Sequence, residues 1–402
     1  MKIQKILGVG LSLMLMASLF VFAVPASATG PGEQQWDYMS EPGYLGYKIY
    51  NSYYANDLAI NGQYMYIAPH SPASSSYPVS NQRLVRSSNS GWTWSSKYAW
   101  RDAGYQEPML IAVAPDDKLS IAVVDNLSNI YISSDEGDTL SQLPALPAAS
   151  AGGVITDIAV GPARTGLLLS REYFVTVADP TPSATATATM VGDVYMLGAS
   201  ATWVSAGSTT GIAGTLDYMR VELSPNFSGD RVVVAIGADN TSATGIVAQV
   251  INTSTKAVLS TTTLIAAALD YQASATGIYA ADIAFPSDYD PTSTTNDMFF
   301  VSTASSSSDD DVFKVTPLDG TTMADLGANA DLKSVAYSGT ADSGTLFVGY
   351  YSAGTVKRCY DPFASSPTWK TNTKAPTGNS AIVRIDSSYA FNKTVYALTI
   401  SG

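Results

Sequence analysis

One short unit returns seven times along this chain, and it limits the possible folds more than any other feature. Each copy is an apolar strand, a polar turn and a second apolar strand. The copies read LAINGQYMYIA at 58–68, IAVAPDDKLSIAVVD at 111–125, DIAVGPARTGLLLS at 157–170 and RVELSPNFSGDRVVVAIG at 220–237. They continue as DIAFPSDYDPTSTTNDMFFVST at 282–303, SVAYSGTADSGTLFVGYYS at 334–352 and AIVRIDSSYAFNKTVYALTIS at 381–401. A spacing of roughly 45 to 65 residues is that of a repeat architecture, with its irregularity taken up in loops.

The runs Leu167-Leu168-Leu169, Val232-Val233-Val234 and Met298-Phe299-Phe300-Val301 are apolar on both faces, which suits strands covered on two sides. In a propeller each four-stranded blade packs between two neighbours, so its inner strands are buried in that way. The expected fold is all-β: a single β-propeller of seven four-stranded antiparallel blades over residues 29–402. The last copy stops at Gly402 after two strands, while the aromatic-rich WDYMSEPGYLGYKIYNS at 36–52 precedes the first. Pairing of 36–52 with 381–401 would complete one blade and seal the ring. The alternatives are a piece of a longer repeat array, and two β-sandwiches joined at ADPTPSATATATM, residues 178–190.

The first 28 residues are read as a signal peptide. Lys2 and Lys5 form a basic start, Ile6 to Val24 is apolar and uncharged, and Pro25-Ala26-Ser27-Ala28 ends in small residues suited to cleavage. An uncleaved anchor helix is the competing reading, because the apolar run approaches the length of a membrane span. No later segment is that long and apolar, so the expectation is an extracellular or cell-surface protein. The full chain carries a net charge of -13, or -15 without the two leader lysines, which disfavours nucleic acid and anionic lipid as partners. Its acids are 28 Asp against 6 Glu, a balance that favours turns over helices. Cys359 stands alone, so stability must come from the core and from strand pairing and not from an intrachain disulfide.

Two octets stand out: SSNSGWTW at 87–94 and SSDEGDTL at 133–140. Strands lead in through LVRS (84–87) and NIYIS (129–133). Asn89 or Asp135 can accept backbone N–H groups across the turn, Gly91 or Gly137 can take a positive φ, and Trp94 or Leu140 can bury apolar surface. These roles are structural. Ser87, Asn89, Gly91, Thr93 and Trp94, and again Ser133, Asp135, Gly137 and Thr139, resemble the Asp-box, or BNR, repeat of sialidases, sortilin-like receptors and bacterial surface propellers. Thr202-Trp203 and Thr368-Trp369 resemble the ends of further, degenerate boxes. The resemblance implies a propeller whose boxes lie in outer hairpin turns, away from any catalytic face.

A sialidase-like enzyme would need an arginine cluster, a Tyr–Glu nucleophile pair and an acidic proton donor. The chain has nine arginines but no Arg-Ile-Pro signature. Of its glutamates, Glu33, Glu41 and Glu136 fall in tail or turn positions, leaving Glu107, Glu172 and Glu222. His70 is the single histidine, in the loop-like APHSPASSS, which excludes multi-histidine zinc sites and leaves a Ser-His-Asp triad unsupported. Cys359, in TVKRCYD, reads as a small buried hydrophobe. No catalytic residue, metal ligand or cofactor is therefore assigned. Asp309-Asp310-Asp311 and the loop Asp288-Tyr289-Asp290…Asn296-Asp297 offer the oxygen ligands Ca²⁺ takes, without EF-hand spacing. Asn126, Asn226, Asn240, Asn252 and Asn392 begin N-x-Ser/Thr sequons.

The function these observations favour is a non-enzymatic, exported structural or binding module at the cell surface. Its acidic, Ser/Thr-rich, Cys-poor composition resembles that of prokaryotic surface-layer proteins. Protein or glycan partners and self-association fit such a module. The rival readings are a sialidase-like glycoside hydrolase and an extracytoplasmic assembly factor.

Overall fold

The computed structural model describes residues 54–70, 83–147, 152–179, 192–207, 216–239, 245–267, 269–271, 277–318, 323–371 and 378–400. The leader, residues 36–52 and the proposed closing partnership of 36–52 with 381–401 lie outside these. Among the described residues no helix is long and apolar enough to cross a membrane.

Six antiparallel blades follow one another along the chain. Blade 1 holds β1 (Tyr54–Asn61), β2 (Tyr64–His70), β3 (Leu84–Ser87) and β4 (Ser95–Lys97). Blade 2 holds β5 (Pro108–Val113), β6 (Ile121–Asp125), β7 (Ile130–Ser133) and β8 (Ser141–Gln142). Blade 3 holds β9 (Val154–Val160), β10 (Tyr173–Ala178), β11 (Asp193–Leu197) and β12 (Val204–Ser205). Blade 4 holds β13 (Asp217–Leu223), β14 (Val232–Ala238), β15 (Ile246–Asn252) and β16 (Ala257–Ile265). Blade 5 adds a short parallel strand, β17 (Asp270–Tyr271), to β18 (Gly277–Ala284), β19 (Phe299–Ser305), β20 (Val312–Val315) and β21 (Met323–Asp325). Blade 6 holds β22 (Leu332–Gly339), β23 (Gly344–Tyr350), β24 (Val356–Cys359) and β25 (Trp369–Thr371).

The seventh copy differs. Among the described residues it is a two-stranded hairpin of β26 (Ser380–Ile385) and β27 (Val395–Ile400), so they form six blades and not the seven expected. Two strands supply only half a blade. The hairpin still fills its sector of the ring. Ala381 and Val383 pack on Phe347 and Val356 of blade 6, while Tyr396 and Leu398 pack with Leu58, Met65 and Ile67 of blade 1.

The core is accordingly divided into layers between successive units. Between blades 4 and 5, Val232, Val234 and Ile236 meet Phe299, Val301 and Phe313; between blades 2 and 3, Ala122 and Val124 meet Val175 and Val177. β14 and β19 are buried along their whole length, which is why Val232-Val233-Val234 and Phe299-Phe300-Val301 could afford no polar face. Leu167-Leu168-Leu169 is not a strand. Gly166 and Ser170 take positive φ on either side, Leu168 is 66 % exposed, and the buried strand begins later, at Tyr173. The Thr/Ala/Pro tract follows Ala178 and precedes Asp193, and β10 and β11 pair with each other, so it connects two strands of one sheet. His70 ends β2, opposite Tyr54, where a loop was expected.

Candidate functional site

The innermost strands β1, β5, β9, β13, β18, β22 and β26 surround a central cavity of about 670 Å³. Superposed by position, the corresponding tetrads of these strands read Asp57-Leu-Ala-Ile, Leu110-Ile-Ala-Val, Asp157-Ile-Ala-Val, Arg220-Val-Glu-Leu, Asp282-Ile-Ala-Phe, Ser334-Val-Ala-Tyr and Ile382-Val-Arg-Ile. In five blades the residue just before the tetrad is the extra residue of a β-bulge: Asn56, Met109, Thr156, Met219 and Lys333. A bulge re-aims the side chain that follows it. In these blades the first tetrad position thereby reaches the neighbouring unit, and Asp282 of blade 5 does the same with its bulge further back, at Tyr279. Asp57 Oδ2 accepts the Ile111 N–H at 3.0 Å, Asp157 Oδ2 the Val221 N–H at 2.9 Å, and Asp282 Oδ2 the Val335 N–H at 3.1 Å. Ser334 Oγ accepts the Val383 N–H at 2.8 Å, doing for the hairpin what the aspartates do for the blades.

At the third position five alanines keep the channel open, and only Glu222 and Arg384 carry longer side chains there. Arg220 of blade 4 bonds Asp157 of blade 3 at 3.0 Å, Asp282 of blade 5 at 3.0 Å and its own Glu222 at 3.4 Å. Arg384 of the hairpin reaches Asp282 at 2.9 Å. One guanidinium thus spans three blades, and one aspartate receives two guanidiniums. Burial pushes the Asp157 carboxyl up to about 7, against the pull of Arg220, and raises Glu222 as well. The same acids hold Arg220 in its charged form. Five acidic side chains, Asp57, Asp116, Asp157, Glu222 and Asp282, and two guanidiniums line the cavity, an excess of acid that disfavours anions.

The other glutamates are elsewhere. Glu172 is buried and ion-paired with Arg231 of blade 4, with Arg164 at 3.6 Å. Glu107 is buried beside Asn56 Nδ2 at 3.4 Å. Only Glu222 of the three faces the channel. Of the nine arginines, all described, only Arg220 and Arg384 line it, so no arginine cluster of the sialidase kind forms there. Sequence reading missed this network because its members are distant in the chain, although they occupy the same place in successive copies.

Both octets form the turn between the third and fourth strands of their blades. Ser87 Oγ accepts the Gly91 N–H at 2.8 Å and donates to Asn89 Oδ1, which accepts the Thr93 N–H at 2.9 Å. Ser133, Asp135, Gly137 and Thr139 repeat this, with the Thr139 hydroxyl also donating to Asp135 Oδ2 at 2.7 Å. Gly91 and Gly137 sit at φ +82° and +88°. Cys359 ends β24 in the position of these serines. Its Sγ donates to Asp361 Oδ1, which accepts the Thr368 N–H at 2.9 Å, so a longer turn keeps two of these bonds. Trp203 Nε1 then donates to Pro144 O after blade 2, and Trp369 Nε1 to Leu326 O after blade 5. Trp94 is half-buried and packs in the layer between the hairpin and blade 1.

These bonds set the expected mutational scale. Asn89→Ala and Asp135→Ala should each cost about 1 kcal/mol as lost turn acceptors. Trp94→Ala should cost about 2 kcal/mol, less than a fully buried tryptophan, because part of its ring already meets water. Chemical denaturation of the three variants reads this out; an unchanged midpoint in all of them would contradict a structural role.

A meander places the first-to-second and third-to-fourth connections at the same end of each blade. The cavity wall includes Pro115, Pro162 and Phe227, all just after innermost strands, so it extends towards the face that carries the octet turns. The acids of these loops accept bonds from within the protein, although Asp310 Oδ1 itself is buried without a partner. Asp310 accepts the Ser305 N–H and hydroxyl, Asp311 the N–H groups of Val312, Ala328 and Asn329, and Asp288 that of Ala341. Among the described residues no group of three or more His, Cys, Asp or Glu has the arrangement of a metal site. Asn126, Asn226 and Asn392 are exposed at turns; Asn240 lies outside the described residues.

No family model matches the chain, and no curated protein matches it. Solved structures do. A GH74 enzyme of Niastella koreensis superposes with TM-score 0.51 at 12 % identity, over 79 % of this chain and 46 % of that one. The chain therefore spans less than half of that enzyme. The Myceliophteria thermophila Cps50 (Swd1) β-propeller domain gives TM-score 0.49 at 8 % identity, covering 82 % and 90 %, and YCF48 bound to D1 peptide gives 0.41 at 11 %, covering 74 % and 75 %. At such identities the likeness concerns the β-propeller fold alone.

Proposed function

We propose that this β-propeller is a non-enzymatic, exported module that serves binding or structural assembly at the cell surface. The observation that carries the reading is the commitment of both channel arginines to carboxylates of other units. Charged groups used in this way tie the ring together and leave no free guanidinium to seize a substrate carboxylate. The octet turns, with their repeated Ser–Asx–Gly–Thr bonding, support reading the chain as an Asp-box propeller. The leader at 1–28 and the acidic, Ser/Thr-rich composition support export and a surface-layer-like role.

A sialidase-like hydrolase is the second reading, favoured by two acids in the cavity wall, Asp157 and Glu222, whose carboxyls burial raises above their usual range. Raised carboxyls in a cleft are the mark of a general acid. A screen of purified protein against sialosides and aryl glycosides separates the two. No turnover is expected; hydrolysis that disappears in Glu222→Gln would overturn the scaffold reading.

A further inference from the structure

The wall of the central cavity changes character along the ring axis. The fourth tetrad position, nearest the face that carries the octet turns, is apolar in all seven units, from Ile60 and Val113 to Phe285 and Tyr337. All seven of these side chains stand in the wall, and all but Val160 are partly exposed. Below this collar lies a charged tier. Glu222 is one residue down and Asp157, Arg220 and Asp282 are three, which at the rise of a β-strand is about 3 Å and about 10 Å. The connection leaving the innermost strand is described in all seven units, so described residues bound the collar all the way round.

The charged tier does not balance. Of the five acids in the wall, Asp116 is served from outside it by Arg171, which leaves four acids against Arg220 and Arg384. Asp57 makes no ion pair with a described residue. Its oxygens accept the N–H groups of Leu58 and Ile111, and Lys333 acts on it only at longer range. Glu222 has a share of Arg220 at 3.4 Å and leaves 38 % of its side chain exposed. Two carboxylates, from blades 1 and 4, thus lack a cation of their own. Among the described residues no three acids stand as a metal site requires, so these are not gathered for a metal ion.

We infer that the channel takes a primary ammonium carried on an apolar stem, either the side chain of a lysine in a partner protein or a free diamine. The collar holds the methylenes and the tier holds the head, which is how a lysine side chain divides itself between apolar surface and charge. An ammonium has three donors that rotate, which suits carboxylates approaching from different units; the planar fork of a guanidinium suits one carboxylate at a time. A lysine stem is of the order of the depth between collar and tier. The negative field of a chain of net charge -13 draws cations towards the ring. The inference deepens the binding-module reading above and rests on it.

Isothermal titration calorimetry of the full chain at low salt, with cadaverine and with lysine blocked at both α-groups, tests it. One ligand per chain is expected, with a Kd of about 1 mM or tighter. Stronger retention of blocked lysine assigns the ligand to a protein segment, stronger retention of cadaverine to a free amine. Glu222→Gln should weaken binding about tenfold by removing one charge from the tier. Asp138→Asn, at an exposed acid of an octet turn outside the cavity, should leave it unchanged. Ile60→Lys, which sets a resident ammonium in the collar, should abolish binding, and it replaces Glu222→Gln if that variant melts abnormally. Affinity should rise from pH 5 to 8, as Asp157 and Glu222 ionise beside Arg220, Asp282, Arg384 and Asp57. The inference falls if neither amine binds, if pentanol binds as well as cadaverine, or if binding is indifferent to Glu222→Gln and Ile60→Lys. Failure to bind leaves the module reading standing, whereas conversion of a bound amine to another compound would overturn that reading and keep this site.

Discussion

Arg220→Ala should destabilise the ring by about 3–5 kcal/mol at pH 8, the cost of breaking a largely buried ion-pair network from one side. The guanidinium bonds acids of blades 3, 4 and 5 at once, and Asp157 and Asp282 are both nearly excluded from water. Removing it leaves Asp157 with no guanidinium, while Asp282 retains Arg384. Arg220→Lys should recover only part of the loss, because one ammonium cannot serve three carboxylates in the fixed fork geometry of a guanidinium. The control is Arg164→Ala, whose half-exposed pair with Glu172 at 3.6 Å should cost under about 1 kcal/mol. Urea denaturation of the set decides it: an Arg220→Ala midpoint equal to that of Arg164→Ala would mean that the network contributes no net stability.

The network also shows what a single sequence yields and what it hides. The repeat was legible because each copy opens with an innermost strand of fixed form, as in Asp157-Ile-Ala-Val and Asp282-Ile-Ala-Phe, followed by a second strand whose burial on both faces, as in β14 and β19, favours an apolar run. Blade number was less legible. Two-stranded and four-stranded units begin with the same pair of strands, and the outer strands are as short as Ser141–Gln142, too brief to carry a period. Leu167-Leu168-Leu169 imitated a buried strand because composition does not register that Gly166 and Ser170 turn the backbone on either side. Cys359 and Asp361 escaped notice as an octet because a longer turn separates them from Thr368. Arg220 and Asp282 were visible only as scattered charges. Alignment of the copies on their first strands would have placed Asp57, Asp157, Arg220 and Asp282 in one column, and a charge at the axis of a ring needs its opposite nearby. Where the pairs meet depends on bulges such as the one at Met219, for which the local sequence gives no signal.

Two buried acids, Asp157 at the channel and Asp193 on β11, should make the protein more stable in mild acid than in mild base. Burial raises Asp157 to about 7 and Asp193 to about 6, in each case against the pull of favourable partners. In the unfolded chain both carboxyls return to about 3.9. The folded state therefore binds the extra protons, and stability from these groups is complete below about pH 4 and lost as pH rises through 6 and 7. For Asp157 alone the full span is of the order of 4 kcal/mol. Other carboxyls work in the opposite sense. Asp116, Asp117, Asp135 and Asp386 are held below their usual range by the hydrogen bonds they accept, so their contribution exists above about pH 4 and disappears below it. The two sets together predict a maximum near pH 5 and a melting temperature at least about 5 °C lower at pH 8. Asp157→Asn, which fixes the neutral form, should flatten the slope between pH 5 and 8 while leaving the acid limb intact. Arg220→Ala should cost less at pH 5 than at pH 8, since Asp157 can then take a proton in place of its lost partner. Melting curves across this range check the sign directly: a stability that climbs from pH 5 to 8 would show that Asp157 stays ionised in the fold and that Arg220 outweighs its burial.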